Sequence, residues 1–224
     1  MREKAIKQSA LLHEHQQMKA SMTEHHGWLT PARFTSADQE AAQVRESVGL
    51  ADLSWMARFE LKGYGLKAPL TFSQGARCWA LAPQHLLVTC DPMARESVVE
   101  TLQSLRAPAS DLALPALVYW TEMTSIYAQL LLAGPRSRNV LSKVTSLNIS
   151  EGALPNAGCG QTDLAHAHTI VLRDDLATLP TFHLLVSREY AESVWEALLH
   201  AGLEFHLAPI GLEAQALLVS GDPP

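Results

Sequence analysis

The chain has 224 residues, 47% of them hydrophobic, with 17 Lys and Arg against 23 Asp and Glu for a formal charge of −6. That is enough apolar material for one large or two small globular domains, and no dense Lys/Arg cluster supplies the counterion-releasing surface that nucleic-acid binding requires. No apolar run reaches the roughly 18 residues that span a bilayer, and Met1 to Met22 is polar where a signal peptide carries its apolar core, so a cytoplasmic protein without nucleic-acid or membrane partners is expected.

Ala10 to Met22 is helix-compatible but weakly amphipathic, and His25-His26-Gly27 with Thr30-Pro31 breaks it, which predicts an N-terminal arm over residues 1–30. Ser36-Ala37-Asp38-Gln39 has the form of a capping box, and Ala41, Val44 and Val48 follow on one face until Gly49, so a helix is predicted over 36–48. Leu50 to Ser54 and Met56 to Leu61 read as extended, the latter closing at Gly63-Tyr64-Gly65. Arg77 to Leu81 and His85 to Cys90 form a predicted hairpin across Ala82-Pro83-Gln84. Asp91-Pro92 then opens a helix whose buried stripe is Val98, Val99, Leu102 and Leu105, and Pro108 ends it. Ala107-Pro108-Ala109-Ser110 is the one linker-like tract.

A strand is expected from Ala116 to Glu122. From Ile126 to Leu132 the residues alternate with the period of a strand, and the pattern switches at Gly134-Pro135 to a helix bearing Val140, Leu141 and Val144 on one face. Leu154 to Gly158 reads as a turn, Leu164 to Leu172 as one strand, and Thr181 to Val186 as another. Ser187 is the expected cap of a last helix with Val194, Trp195, Leu198 and Leu199 inward and Gly202 at its end. The order β–β–α then β–β–α–β–β–α predicts an α+β fold of mainly antiparallel sheets with packed helices, in two halves resembling split βαβ units at 36–107 and 112–215. Within a main domain of 31–215, residues 216–224 are left as a tail.

His13/His15, His25/His26 and His166/His168 are close pairs, but only the last has an acid, Asp163, near enough to extend a ligand set. No metal is therefore expected. Cys78, Cys90 and Cys159 are odd in number and widely spaced, so free thiols are expected; Cys159 lies in the glycine-flanked stretch Gly158-Cys159-Gly160, read as a loop. There is no GxSxG, HExxH or Walker sequence, and Gly63-Tyr64-Gly65 lacks the third glycine of a dinucleotide fingerprint.

Several segments taken together resemble the aminomethyltransferase family, the folate-dependent T-protein of the glycine cleavage system and its relatives. Gly27-Trp28-Leu29-Thr30-Pro31-Ala32-Arg33-Phe34 resembles the family's Gly-Trp-x-x-Pro-x-x-(Tyr/Phe), and Val48-Gly49-Leu50-Ala51-Asp52-Leu53-Ser54-Trp55-Met56 its Val-Gly-Leu-x-Asp-Leu-Ser-His-Met. Tyr127-Ala128 with Gly134-Pro135, Trp195 to Gly202, and Pro209-Ile210-Gly211-Leu212 extend the resemblance over nearly the whole chain. It implies the family's folate-binding domain, with tetrahydrofolate as the cofactor and Met56, Glu122 and Arg173 as the surviving pocket residues.

The departures bear on function. Phe72 to Arg77 holds no Asp or Glu where the family carries its proton-handling acid, upstream of a strand end that here reads Val88-Thr89-Cys90. The family's Arg-Thr-Gly-Tyr-Thr-Gly-Glu-x-Gly-Phe loop matches Arg173 to Phe182 without gaps and puts Leu179 at the pterin-binding glutamate; leucine accepts no hydrogen bond. Gly211 to Val219 lacks both arginines of the corresponding family helix. Val140 to Ile149 is similar to a segment of the sarcosine oxidase gamma subunit, a short relative that implies a non-catalytic subunit beside a larger flavoprotein or one-carbon enzyme, or a self-associating chain. The expectation is thus an accessory domain without catalytic residues of its own. The alternative is a working tetrahydrofolate-dependent aminomethyltransferase. A third relative, the folate-binding iron–sulfur cluster maintenance protein, is similar only around Gly158-Cys159-Gly160-Gln161.

Overall fold

The computed structural model describes residues 7–64, 66, 70–72, 75–105 and 118–220. They form two units, one discontinuous and built from the stretches up to Trp55 and from Ile126 onward, the other the contiguous Met56–Ser125. The expected linker at 107–110, along with Gly65 and Ser73, lies outside the described residues.

In the discontinuous unit, β1 (Lys7–Gln8), α1 (Leu12–Gln17), β2 (Ser21–His25) and β3 (Trp28–Arg33) come first, then α2 (Ala37–Glu46) and β4 (Gly49–Asp52). The contiguous unit follows with β5 (Ala57–Gly63), β6 (Ala76–Ala82), β7 (His85–Cys90), α3 (Arg95–Ser104) and β8 (Val118–Glu122). The chain then returns through β9 (Tyr127–Ala133), α4 (Ser137–Val144), β10 (Cys159–Leu164), β11 (Ala167–Arg173), β12 (Thr181–Ser187), α5 (Ala191–Ala201), β13 (Ala208–Pro209) and α6 (Leu212–Ser220). The result is an α+β fold whose sheets are mainly antiparallel.

The contiguous unit is one four-stranded sheet in the order β6-β7-β5-β8. β7 and β8 both run antiparallel to β5 between them, with α3 as their crossover, which is a split βαβ arrangement. Phe59, Leu61, Leu86, Val88 and Cys90 share the face that α3 covers through Val98 and Leu102. Asp91 accepts a hydrogen bond from the Met93 N–H at 2.7 Å, so a short 3-10 turn precedes α3 and the helix starts at Arg95.

The discontinuous unit holds a six-stranded sheet, β10-β11-β12-β9-β4-β13, and a three-stranded one, β1-β3-β2. Here the β12–α5–β13 crossover spans two strands, β9 and β4, because β4 enters from the first part of the chain and pairs with β9 from Gly49 opposite Ala133 to Asp52 opposite Leu130. All four residues of β4 are buried, so a central position in the sheet satisfies both its faces. Leu130, Leu132, Phe182 and Leu184 meet Val140, Leu141, Val194, Trp195 and Leu198 from α4 and α5 in the core; each such side chain contributes about 1.5–3 kcal/mol on burial.

Four expectations change in the structure. Residues 7–33 are not a detached arm: Leu11 and His15 are fully buried and Trp28 nearly so, because Leu11 and His15 fall one turn apart on the inner face of the α1 segment. The single strand expected from Leu164 to Leu172 is a hairpin, β10 and β11, turned at Ala165 and His166 with φ of 47° and 68°. Two consecutive left-handed residues make the tight turn, and the usual Asn-Gly signal for it is missing from the sequence. Cys159 is accordingly a strand residue opposite Leu172 and not a loop residue. Finally, residues 212–220 are helical and bury Ala214 and Leu218, so the part of the expected tail up to Ser220 belongs to the fold. Smaller shifts are that α4 begins at Ser137 and that Ser187 makes no side-chain cap.

Glu40 anchors this last helix. Its Oε1 accepts from the backbone N–H groups of Phe34 and Thr35, each at 2.6 Å, and its Oε2 accepts from Gly211 N–H at 2.7 Å. A Cβ on Gly211 would stand 2.2 Å from the Ala32 carbonyl oxygen, which explains the glycine in Pro209-Ile210-Gly211-Leu212. Gly134 is required for a related reason: its φ is +126° and a Cβ would lie 2.4 Å from the Ser47 carbonyl oxygen.

Candidate functional site

Of the three residues that the family resemblance singles out, Arg173 at the end of β11 lies in the discontinuous unit, and Glu122 at the end of β8 and Met56 just before β5 lie in the contiguous one. Arg173 is nearly fully buried and its guanidinium is used from every side. Nε and Nη2 donate to the Asp175 carboxylate at 3.0 and 2.7 Å, Nη2 also to Glu151 at 3.2 Å, and Nη1 to the Leu154 carbonyl at 2.9 Å. The paired carboxylates, first of all Asp175, push its pKa still higher. Asp175 in turn accepts from Thr181 N–H, and Asn156 accepts from Asp175 N–H. The planar fork therefore staples the 151–158 turn to the 174–180 loop.

Within that loop Leu179, which stands at the family's glutamate position, exchanges backbone hydrogen bonds with Leu176 around a left-handed Ala177 and is half-buried. Glu122 is held by Arg95, whose Nη2 and Nε donate to it at 2.6 and 3.2 Å, and by the Thr124 hydroxyl at 3.0 Å. Cys90, at the start of this cluster, has its thiol pushed up to about 12 by burial and by the charges of Asp91 and Glu122, with Arg95 opposing; an inert thiol follows. Met56 is half-buried.

A different polar cluster lies deep in the discontinuous unit. His15 Nε2 is 3.0 Å from Asp52 Oδ2, both side chains almost wholly inaccessible, and Asp52 Oδ1 accepts from Ser54 N–H at 2.9 Å. The Ser9 hydroxyl bonds the same carboxylate and accepts from Leu11 N–H at 3.1 Å. Burial pushes Asp52 up, but His15, Ser54 and Ser9 together outweigh it and hold the carboxyl below its usual 3.8. The imidazole is flanked edge-on by Phe34 and Trp195 at 5.8 and 5.4 Å between ring centroids. In the sequence the nearest histidine to His15 is His13, two residues away, whereas its partner Asp52 is 37 residues off. The signal was the spacing of Leu11 and His15 on one helical face, together with Asp52 inside an otherwise apolar stretch.

The other histidines do not converge. His25 and His26 contact each other and Trp55 through their rings, His166 occupies the β10–β11 turn, and His168 lies opposite Asp163 across the hairpin. Among the described residues no group of three or more His, Cys, Asp and Glu could hold a metal ion, and no helix is long and apolar enough to cross a membrane. A shallow groove in the discontinuous unit is lined by Lys143, Thr145, Asp163, His166 and Ser193, and its lysine already donates to the Ala201 carbonyl at 3.1 Å and pairs with Glu204.

The chain is thus an α+β protein in which a split βαβ unit interrupts the sequence of a unit whose larger sheet is mainly antiparallel. The model of the GCVT N-terminal domain matches residues 11–71 and 74–219, and the chain belongs to this family, that of the aminomethyltransferases. It is 28% identical over 226 residues to an aminomethyltransferase of Chloroherpeton thalassium, covering 91% of this chain and 61% of that protein. It is 28% identical over 235 residues to one of Halothermothrix orenii, covering 95% and 64%. The chain thus spans a little over six-tenths of the length of these relatives. In fold it is similar to the glycine cleavage system aminomethyltransferase T of Bartonella henselae, with a TM-score of 0.73 at 16% identity over 96% of this chain and 62% of that one. It is also similar to a chain of the heterotetrameric sarcosine oxidase of Corynebacterium sp. U-96, with a TM-score of 0.56 at 16% identity over 75% and 92%.

Proposed function

We propose that the chain serves tetrahydrofolate-dependent aminomethyl transfer, as the domain of such a system that receives the pterin. The observation that carries this reading is the alignment of more than nine-tenths of the chain with two proteins named aminomethyltransferase. Calorimetric titration with tetrahydrofolate under reducing, oxygen-free conditions tests it. Saturable binding in the micromolar range is expected, and a flat titration up to millimolar ligand overturns it.

A second reading, a non-catalytic subunit of an amine-oxidising or one-carbon-transferring complex, is favoured by specific residues. Arg173 and Glu122 are committed to internal ion pairs, and the Leu179 side chain offers no acceptor. The match to 92% of a chain of heterotetrameric sarcosine oxidase adds a precedent of similar extent. Pull-down of the tagged chain from its own host separates the two. A stoichiometric flavoprotein together with a flat folate titration supports the subunit, whereas folate binding by the chain alone supports the transferase.

A further inference from the structure

Met56 follows directly on a turn whose geometry depends on the buried cluster of the discontinuous unit. Asp52 ends β4, its Oδ1 accepts from Ser54 N–H at 2.9 Å, and this Asx-type bond bends the chain through Leu53 and Ser54 toward Trp55. The Leu53 N–H meanwhile donates to the Gln129 carbonyl at 2.7 Å, so the turn is pinned to β9 on one side and to a carboxylate on the other. What orients that carboxylate is His15, a residue 37 positions away on α1.

The direction of the His15 bond follows from its surroundings. Nδ1 is buried and has no hydrogen-bond partner among the described residues, with Phe34 and Trp195 flanking the ring. An imidazole protonated only on Nδ1 would bury an unmatched N–H there and turn a lone pair on Nε2 toward the carboxylate, losing twice. With the proton on Nε2 the carboxylate receives a charge-assisted bond at 3.0 Å, and Nδ1 is left with a lone pair only and no N–H to satisfy. The other partners of the Asp52 carboxylate are Ser9 and the Ser54 N–H.

We propose that His15 is a positioning residue: it keeps its proton on Nε2, orients the Asp52 carboxylate, and through the Ser54 amide fixes the turn that leads to Met56. Its bearing on ligand binding rests on the function proposed above, while the relay itself does not. The N-terminal helix thereby holds, from within the core of the discontinuous unit, the turn by which the chain leaves β4.

The test combines one spectrum and three variants of the full chain. Long-range 15N–1H spectra at pH 8, with the His15 signal assigned by its loss in His15→Gln, are expected to show Nε2 protonated. Hydrogen exchange at the Ser54 amide is expected to speed up roughly tenfold in His15→Leu and in Asp52→Ala, and to return close to the wild-type rate in His15→Gln, whose amide nitrogen can reach the carboxylate. Wild-type exchange at Ser54 in a folded His15→Leu protein, or an Nε2 without its proton, overturns the proposal. If His15→Leu does not fold, the wild-type spectrum decides alone. A flat wild-type folate titration counts against the function proposed above and leaves the relay to be judged by these spectra.

Discussion

Glu40 gives the most direct measure of how α6 is held. Its carboxylate receives three backbone N–H groups, those of Phe34, Thr35 and Gly211, from two segments 171 or fewer residues away in sequence, and the side chain is almost fully buried. Hydrogen bonds to a charged acceptor contribute about 1.5–3 kcal/mol each, and a buried donor left unmatched costs about 1–3 kcal/mol. Glu40→Ala strands all three donors and is expected to destabilise by about 4–6 kcal/mol. At roughly 2–4 °C per kcal/mol for a chain of this size, thermal unfolding followed by circular dichroism should show Tm lowered by roughly 10–20 °C. Glu40→Gln keeps one acceptor oxygen and turns an NH2 toward the remaining donors, so about half of that loss is expected. A Gln variant unfolding at the wild-type temperature would refute the assignment of Glu40 as the tie between β3, α2 and α6.

Three further outcomes are expected. Asp52 has a folded value below its ordinary one, so its contribution is fully present above about pH 4 and disappears as pH falls through the lowered value; denaturation of Asp52→Asn at pH 7 should show a clear loss of stability against wild type, narrowing below pH 4. Arg173→Lys cannot reproduce the two-pronged bond to Asp175 and should cost roughly 2–4 kcal/mol, with limited proteolysis cutting first within residues 174–180. Cys90, inaccessible and with its thiol pushed up to about 12, should resist alkylation at pH 8 until the chain unfolds, while half-buried Cys159 labels in the native state.

Much of this fold could be read from local chemistry. Ser36 does cap α2 by accepting from Gln39 N–H, the Pro83-Gln84 turn joins β6 to β7 with Gln84 at φ 66°, and Gly134 marks the strand-to-helix turn for a steric reason that only the packed structure reveals. What escaped was non-local. β10 looks like a loop because its glycine and polar residues match a strand pattern poorly, and only pairing with β11 makes it a strand. α1 and α6 have short or weak apolar stripes, and their place was decided by His15 meeting Asp52 and by Glu40 reaching Gly211, partners 37 and 171 residues apart. For the candidate site, family motifs located Arg173 and Glu122, but their ion pairs with Asp175 and Arg95 depend on register and could not be seen in the sequence.

Because β4 and β9 lie side by side while 70 residues separate Trp55 from Ile126, the larger sheet cannot close during vectorial synthesis until its last strands have left the ribosome. Residues 56–125 need nothing outside their own stretch to pair β5 through β8, so the nascent chain is expected to complete that small sheet first. The early product then serves as a ready-made clasp that brings the two flanking stretches together and shortens the loop which β9 must cross to find β4.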